Sequence, residues 1–548
     1  MTGDLPPTAR TRRVERLEAV FTAVRTGDLA TAKRLARAAL AQGLEHPTLL
    51  NLRALEFEDA GMFREALADL RRAHLLSPQD HTILNACGLC LVRMDRAEEA
   101  LRCYDQAVAI APDFGQAWFN RGWPLERLGE ITKATQTYAR AADINPENAE
   151  AWANLAALDV RRGNTTAARV NAEKALALQP GHPTAILALA AIEIAEPEVA
   201  QARLKELLSG PLTPLDRAIA IGQLGDVLDA LDKPAQAFDA YRTSNSLFRE
   251  QSAPRFERPG QPTVGDAARW FTEGARNLDA MAWAAGVEDH AGEAGEAGHV
   301  FLLGFPRSGT TLIENVLASH PAVTSVEELE TLAAGVVAYA SGPDGPKRLD
   351  EATATELQRS RDAYWARVRE LGVDPVGKVF VDKNPFNTLK LPIILKLFPK
   401  AKILFAVRDP RDVLLSCYRR RFQINSSTFQ YLDLGQTATS YASAMGLAEL
   451  LRAKIHFDEY QLVYERLVAE FGSEARAVCA FIGVEWDDAL VDFADRARRG
   501  DVASASSAQI ARGLYAGGAG QWRRYQAQLA PVLPILAPWV ERFGYPAE

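Results

Sequence analysis

The residues with the plainest chemical purpose lie between Val300 and Leu312: Val300-Phe301-Leu302-Leu303-Gly304-Phe305-Pro306-Arg307-Ser308-Gly309-Thr310-Thr311-Leu312. An apolar run ends in small residues and leads into a helix-like stretch, Leu312 to Ala318. A loop of this kind aims backbone N–H groups at an anion, and the following helix dipole adds to the attraction. Gly304 and Gly309 have the spacing of a nucleotide-binding P-loop, which must continue with Lys and then Ser or Thr. Here Thr310 stands where that Lys is needed, and the positive charge, Arg307, sits inside the loop beside Ser308. The pattern predicts a phosphate cradle made by Arg307, Ser308, Gly309, Thr310 and Thr311 that lacks a grip for a β/γ-phosphate pair. The plainer alternative is a small-residue turn between a strand and a helix.

A second segment points to a second anion contact. Lys402 to Val407 reads as a buried strand, followed at once by Arg408-Asp409-Pro410-Arg411-Asp412. Asp409 then Pro410 is a helix start, an N-cap followed by Pro in the first turn. A helix running onward puts Asp412, Ser416 and Arg420 four apart on one face. Arg408, Ser416 and Arg420 could then converge on one anion, the arginines supplying forked donors. For Arg419 to Arg421 as a charge run, a solvated helix surface is the competing reading.

These two segments resemble the 5′-phosphosulfate loop and the 3′-phosphate site of sulfotransferases that use 3′-phosphoadenylyl sulfate (PAPS). The branch most resembled is that of protein-tyrosine sulfotransferases and bacterial relatives fused to tetratricopeptide repeats. The resemblance runs from about Val300 to Tyr545. It implies PAPS as co-substrate and no metal, which accounts for the missing lysine. It also implies roles for single residues. Glu328, second of the pair Glu327-Glu328, would be the catalytic base, although Ser325-x-x-Glu328 is equally a helix capping box. Lys383, in Val381-Asp382-Lys383-Asn384-Pro385-Phe386, would stabilise the transition state, where a lone lysine after a strand is otherwise solvated. Tyr464 would meet the adenosine portion, or else be a half-buried strand aromatic. Ser506 would stand beside the leaving phosphate, with Gln509 and Trp522 completing the C-terminal pattern. Gln521 departs from that pattern, which has a basic residue before the tryptophan; Arg523 is the candidate replacement.

The elements that must position these residues occupy a long chain. With 548 residues, 48% hydrophobic and 24% charged, the sequence has material for more than one soluble domain. A net charge of −8 argues against a nucleic-acid polycation. Five cysteines, at 87, 90, 103, 417 and 479, suit a reducing compartment without a disulfide framework. Met1 to Val20 has no apolar h-region, and no run is apolar enough to span a membrane. The expectation is a cytoplasmic protein without a membrane span.

The front half is periodic. Pro78, Pro112, Pro146 and Pro180 recur every 34 residues, the tetratricopeptide period. Ala66, Ala100, Ala134, Ala168 and Ala202 keep the same register, as do Ala39, Ala73, Ala107, Ala141 and Ala175. Gly88 and Gly122 recur opposite the bulky Tyr104 and Tyr138, and Gly225 with Tyr241 suggests a last unit. Small residues let paired helices approach, and each proline ends a second helix. Such a solenoid offers a concave face to a polypeptide acceptor or partner; bracing of the catalytic domain or homodimerisation are the alternatives.

The predicted organisation is an all-α tetratricopeptide-type helical solenoid over residues 15–252, a connector over 253–299, and an α/β domain over 300–548. Within the connector, Ala253 to Pro262 reads as a proline-rich linker, Asp266 to Ala285 as a helix, and Glu288 to His299 as a mobile, low-complexity loop. Strands at 300–303, 378–381, 403–407 and 461–464 alternate with helices. This implies a mostly parallel sheet of P-loop-like sulfotransferase fold, with ligand sites at the strands' C-terminal ends. The expected reaction is transfer of a sulfuryl group to an acceptor hydroxyl, a tyrosine in a polypeptide first. A sugar or small-molecule hydroxyl, or a non-catalytic repeat scaffold, are the alternatives.

Overall fold

The computed structural model describes residues 7–258, 260, 263–280, 283, 292–493 and 516–547. It divides into two compact units, Met1–Leu158 with Thr166–Ala185, and Asp159–Thr165 with Ile186–Glu548. Among the described residues no helix is long and apolar enough to cross a membrane.

The first unit is a stack of antiparallel helix pairs in the predicted register. Pro47–Asp59 pairs with Phe63–Leu76, His81–Arg93 with Ala97–Ile110, and Gly115–Arg127 with Ile131–Ile144. Pro78 and Pro112 each stand just past the second helix of a pair. Ala66, Ala100, Ala134 and Ala168 are completely buried. The glycine–tyrosine partnership is steric: a Cβ on Gly88 would lie 2.5 Å from the Tyr104 ring, and one on Gly122 2.2 Å from Tyr138. A further pair, Pro7–Arg25 and Leu29–Ala41, precedes these, and buries Ala39, the first member of the second alanine series.

The second unit contains the last repeat helices, Pro214–Ala230 and Pro234–Phe256. Gly225 meets Tyr241 as Gly88 meets Tyr104, with a Cβ distance of 2.5 Å. The linker expected from Ala253 is instead the end of a helix. Pro254 lies in its last turn, where few residues follow to be disturbed, and Phe256 packs on Phe429 with ring centroids 5.4 Å apart. The helix expected over Asp266 to Ala285 spans Val264–Asn277, started by a Thr263/Asp266 capping box. The described part of the expected mobile loop is built structure: Glu296 accepts from the N–H groups of Gly292 and Ala294 at 2.9 Å and bridges to Val376.

A five-stranded parallel sheet follows, in the order β2-β3-β1-β4-β5. The strands are β1 (Gly298–Gly304), β2 (Val323–Glu327), β3 (Val379–Lys383), β4 (Lys402–Val407) and β5 (Glu459–Val463). β2 was not expected. Its Ser325-x-x-Glu328 pattern imitates a helix start, but Ser325 lies in the strand, paired with Val381, and no helix begins at Glu328. The capping-box alternative for Glu328 therefore falls. Crossover helices cover both faces, so β1, β3 and β4 are mostly buried on both sides, β3 ending in the charged pair Asp382-Lys383.

Candidate active site

Parallel register brings the candidate site residues together at the C-terminal ends of the strands. Leu302 and Glu327 both pair with Lys383, and Gly304 pairs with Ala406 two residues before Arg408. Val407 pairs with Val463, which places Arg408 and Tyr464 side by side past the ends of β4 and β5.

The loop after β1 turns on two glycines that no other residue could replace cheaply. Gly304 has φ +144°, and a Cβ there would sit 2.6 Å from the Ala406 carbonyl oxygen; Gly309 has φ +99°, and its Cβ would meet Tyr464 Cδ2 at 2.6 Å. Thr388 holds the loop's base, its hydroxyl accepting from Gly304 N at 3.0 Å and donating to Gly304 O. Ser308 Oγ donates to Phe305 O at 2.6 Å. The helix Thr310–Ala318 starts at Gly309 without a side-chain cap, so its first N–H groups are not satisfied by a capping side chain.

Around this loop the structure crowds cations. Arg307 donates Nε–H to Ser416 Oγ at 2.9 Å, and Arg408 donates to Arg307 O at 3.0 Å and to Gly518 O. Arg408 lies over the Tyr464 ring at 4.7 Å, and its buried Nε has no hydrogen-bond partner. Burial, then Arg420, then Arg408 push the Arg307 guanidinium down to about 9 from its ordinary 12.5. Like charges held together in a partly dry site mark a place that an anion would relieve. Arg420 joins the crowd by a different route from the one expected. The helix Pro410–Arg419 stops one residue short of it, so Arg420 is an extended C-cap residue, not part of a helical face with Asp412. Asp412 instead accepts from Gly520 N at 2.6 Å and Trp522 N at 2.8 Å, anchoring the C-terminal segment to this helix.

The second cluster lies at the ends of β2 and β3. Lys383 is fully buried, with Nζ 2.7 Å from Glu328 Oε1, 3.2 Å from Glu327 Oε1 and 3.4 Å from Thr311 Oγ1. Burial alone would lower its pKa, but Glu328, Glu327 and Glu314 outweigh it and hold the ammonium well above the usual lysine range. Glu328 keeps 38% of its side chain open to solvent while Lys383 keeps none. Its backbone is in the left-handed region, φ +53°, fixed by a 2.7 Å hydrogen bond from its N–H to Lys383 O. Among the described residues four non-glycines have positive φ, and two of them, Arg307 and Glu328, are candidate site residues.

Of the residues expected at the site, Arg307, Ser308, Gly309, Thr310, Thr311, Glu328, Lys383, Arg408, Ser416, Arg420 and Tyr464 lie at this end of the sheet. Ser506 and Gln509 lie outside the described residues. Gln521 does not stand alone in place of a cation, because Arg419 donates to its Oε1, while Arg523 lies over Trp522 at 5.1 Å. The expectation missed Thr388, Asp382 and the full role of Glu327. Asp382, also buried, accepts from Thr331 Oγ1 at 2.6 Å and Tyr364 OH at 2.9 Å, and burial raises its carboxyl to about 6. Its place directly before Lys383 was the available signal.

Residues 299–488 match the model of the "Sulfotransferase family", and residues 123–237 match that of the "Cilia and flagella-associated protein 70 middle TPR-like domain". An uncharacterised protein of Aquifex aeolicus is 30% identical over 43% of this chain and 32% of its own length. Protein-tyrosine sulfotransferase 2 of Gallus gallus is 29% identical over 35% of this chain and 53% of its own. Protein-tyrosine sulfotransferase 1 of Danio rerio is 25% identical over 45% and 72%. The chain thus spans a third to a half of the first two of these relatives.

Proposed function

From a sulfotransferase-family domain joined to tetratricopeptide-like repeats, we propose that this chain moves a sulfuryl group from PAPS to an acceptor hydroxyl, the phenol of a tyrosine in a polypeptide. The observation that carries the proposal is Lys383, buried between Thr311 of the anion loop and the half-open carboxylate of Glu328. One end of this contact faces an anion loop, and the other is a base that solvent and an acceptor can reach.

The residues present fit PAPS. The unpartnered Nε of Arg408 suits a phosphorylated nucleotide, and Gly309 and Gly518 let the backbone come close to Tyr464 beside it. Arg307 and the loop amides would hold its 5′-phosphosulfate, Arg408, Ser416 and Arg420 its 3′-phosphate, and Tyr464 its adenosine portion. When bound, PAPS supplies the activated sulfuryl group. Glu328 removes the proton of the acceptor hydroxyl. A phenol has an ordinary pKa near ~10 and a glutamate near ~4.3, so proton removal runs together with attack and not ahead of it. Lys383 stays charged throughout and offsets negative charge that develops beside the loop. Catalysis is then mostly positioning and charge stabilisation.

A polypeptide acceptor is supported by the names of the Gallus and Danio relatives and by the repeats. Leu89 and Trp123, 34 residues apart on the first helices of successive repeats, are 41% and 37% exposed. A cytoplasmic setting agrees with five cysteines that are all free thiols. The test is incubation with PAPS and a cell lysate, followed by mass spectrometry of the proteins. Sulfuryl groups gained on tyrosines support the proposal. Gain only on sugars or small molecules overturns the acceptor, and tight binding of adenosine 3′,5′-bisphosphate without any transfer makes the chain a scaffold.

A further inference from the structure

We propose that the last helical pair of the repeat array is a working part of the nucleotide site, with Asp226 and Asp229 as positioning residues for the arginine strip Arg419–Arg421. This deepens the preceding proposal and rests on its reading of Arg420 as a contact to the 3′-phosphate.

The strip begins at the last residue of the helix Pro410–Arg419, and the chain turns extended at Arg420. Tyr418 just before it, and Arg419 and Arg421 within it, are tied to the repeat helices. The Tyr418 carbonyl accepts from Asn245 Nδ2 at 2.8 Å in a buried contact, and the Tyr418 ring stacks on Phe238 at 5.3 Å. Arg419 lies 3.5 Å from Asp229, and Arg421 donates to Asp226 at 2.6 Å. Arg420 is the residue between these anchors.

The repeat helix is shaped for this contact. A Cβ on Gly222 would lie 3.0 Å from Arg421 Cδ and 2.8 Å from Ser244 Oγ, so the arginine stem lies against bare backbone. Asp226 Oδ1 is fixed by Tyr241 OH at 3.1 Å, which leaves Oδ2 for Arg421. Asp229 Oδ1 accepts from Tyr525 OH at 2.7 Å and Arg524 at 2.6 Å, which ties the segment after Gln521 to the same helix. Three successive arginines repel one another, and these two carboxylates are what offsets the repulsion at 419 and 421. With Asp226 neutral, the strip spreads and Arg420 loses its aim. The repeats then act on the reaction through nucleotide affinity, besides any delivery of an acceptor.

The test uses the full chain with Asp226→Asn, Gly222→Ala, Arg420→Ala and the double variant Asp226→Asn/Arg420→Ala. Binding of adenosine 3′,5′-bisphosphate and of adenosine 5′-phosphosulfate, which lacks the 3′-phosphate, is measured by calorimetric titration. Asp226→Asn and Gly222→Ala are expected to weaken the bisphosphate about tenfold, the size of one charge-assisted contact, and to leave the phosphosulfate within about twofold. In the Arg420→Ala background, Asp226→Asn should add nothing, because it acts through Arg420. If Arg420→Ala weakens both ligands alike, the 3′-phosphate reading fails. Should Arg420→Ala discriminate while Asp226→Asn and Gly222→Ala do not, or weaken both ligands equally, positioning by the repeats is overturned. Asp226→Asn is nearly isosteric and keeps an acceptor for Tyr241; if it nevertheless unfolds, Gly222→Ala decides by the same ratio.

Discussion

Replacing Arg307 by Met should make the ligand-free protein no less stable and yet sharply weaken its response to nucleotide. Burial and the fields of Arg420 and Arg408 bring the Arg307 guanidinium down to about 9 from 12.5. At 1.36 kcal/mol per decade, that drop is about 5 kcal/mol of unfavourable charge. Part of the side chain reaches water, so screening reduces the usable figure to ~2 kcal/mol. The variant also loses the 2.9 Å contact with Ser416, which stabilises by about 1 kcal/mol. The net expectation is a gain of ~1 kcal/mol. The sign follows from linkage: below pH ~9 the arginine is protonated folded and unfolded, and the cost is fully present. It is relieved only as pH rises from ~9 toward 12.5, so the wild-type deficit should be constant between about pH 6 and 8. The assay is thermal unfolding with and without adenosine 3′,5′-bisphosphate. Wild type should shift upward with ligand, while Arg307→Met should start level or higher and barely shift, its affinity down about ten- to a hundredfold. A variant that melts well below wild type yet keeps the full ligand shift would refute the view of Arg307 as a cation strained by its neighbours and relieved by an anion.

Glu328→Gln should lower turnover by about 10²–10⁴-fold with nucleotide affinity nearly unchanged, since Glu327 still holds Lys383; unchanged turnover on a tyrosine peptide would remove Glu328 from the mechanism. Arg408→Ala should weaken adenosine 3′,5′-bisphosphate about ten- to a hundredfold and spare adenosine 5′-phosphosulfate, read by competitive binding, and equal losses would make Arg408 merely structural. A fragment of residues 183–548 should be soluble and bind the bisphosphate, whereas 253–548, stripped of Phe238 and Asn245, should precipitate; a soluble, fully binding 253–548 would contradict the contacts seen at Tyr418.

What the sequence made legible was local. The loop from Gly304 to Thr311 carries its meaning in spacing, and Arg408 in its place at a strand end. The repeats declare themselves because Gly88 and Tyr104 recur 34 residues on as Gly122 and Tyr138. Where the sequence misled, two local codes overlapped or the cause was remote. Val323–Glu327 is a five-residue strand whose Ser325-x-x-Glu328 also spells a helix start, and only its pairing with β3 decides. Pro254 suggested a linker, yet a helix tolerates proline near its end. The attachment of Pro214–Phe256 to the sheet-bearing half includes the meeting of Asp226 with Arg421, 195 residues away, and no local pattern encodes that.

That attachment also bears on how such a chain can change over generations. A repeat array lengthens or shortens by whole units, because each unit leans chiefly on its neighbours. Between residues 47 and 180, gain or loss of one 34-residue unit preserves the glycine–tyrosine register on either side. The same event across Pro214–Phe256 would carry off Gly222, Asp226, Asp229 and Asn245 together. Relatives of this chain are therefore expected to vary in the number of their early repeats and to keep the last one, so that the inheritable join between the two halves lies inside the array and not at its visible end.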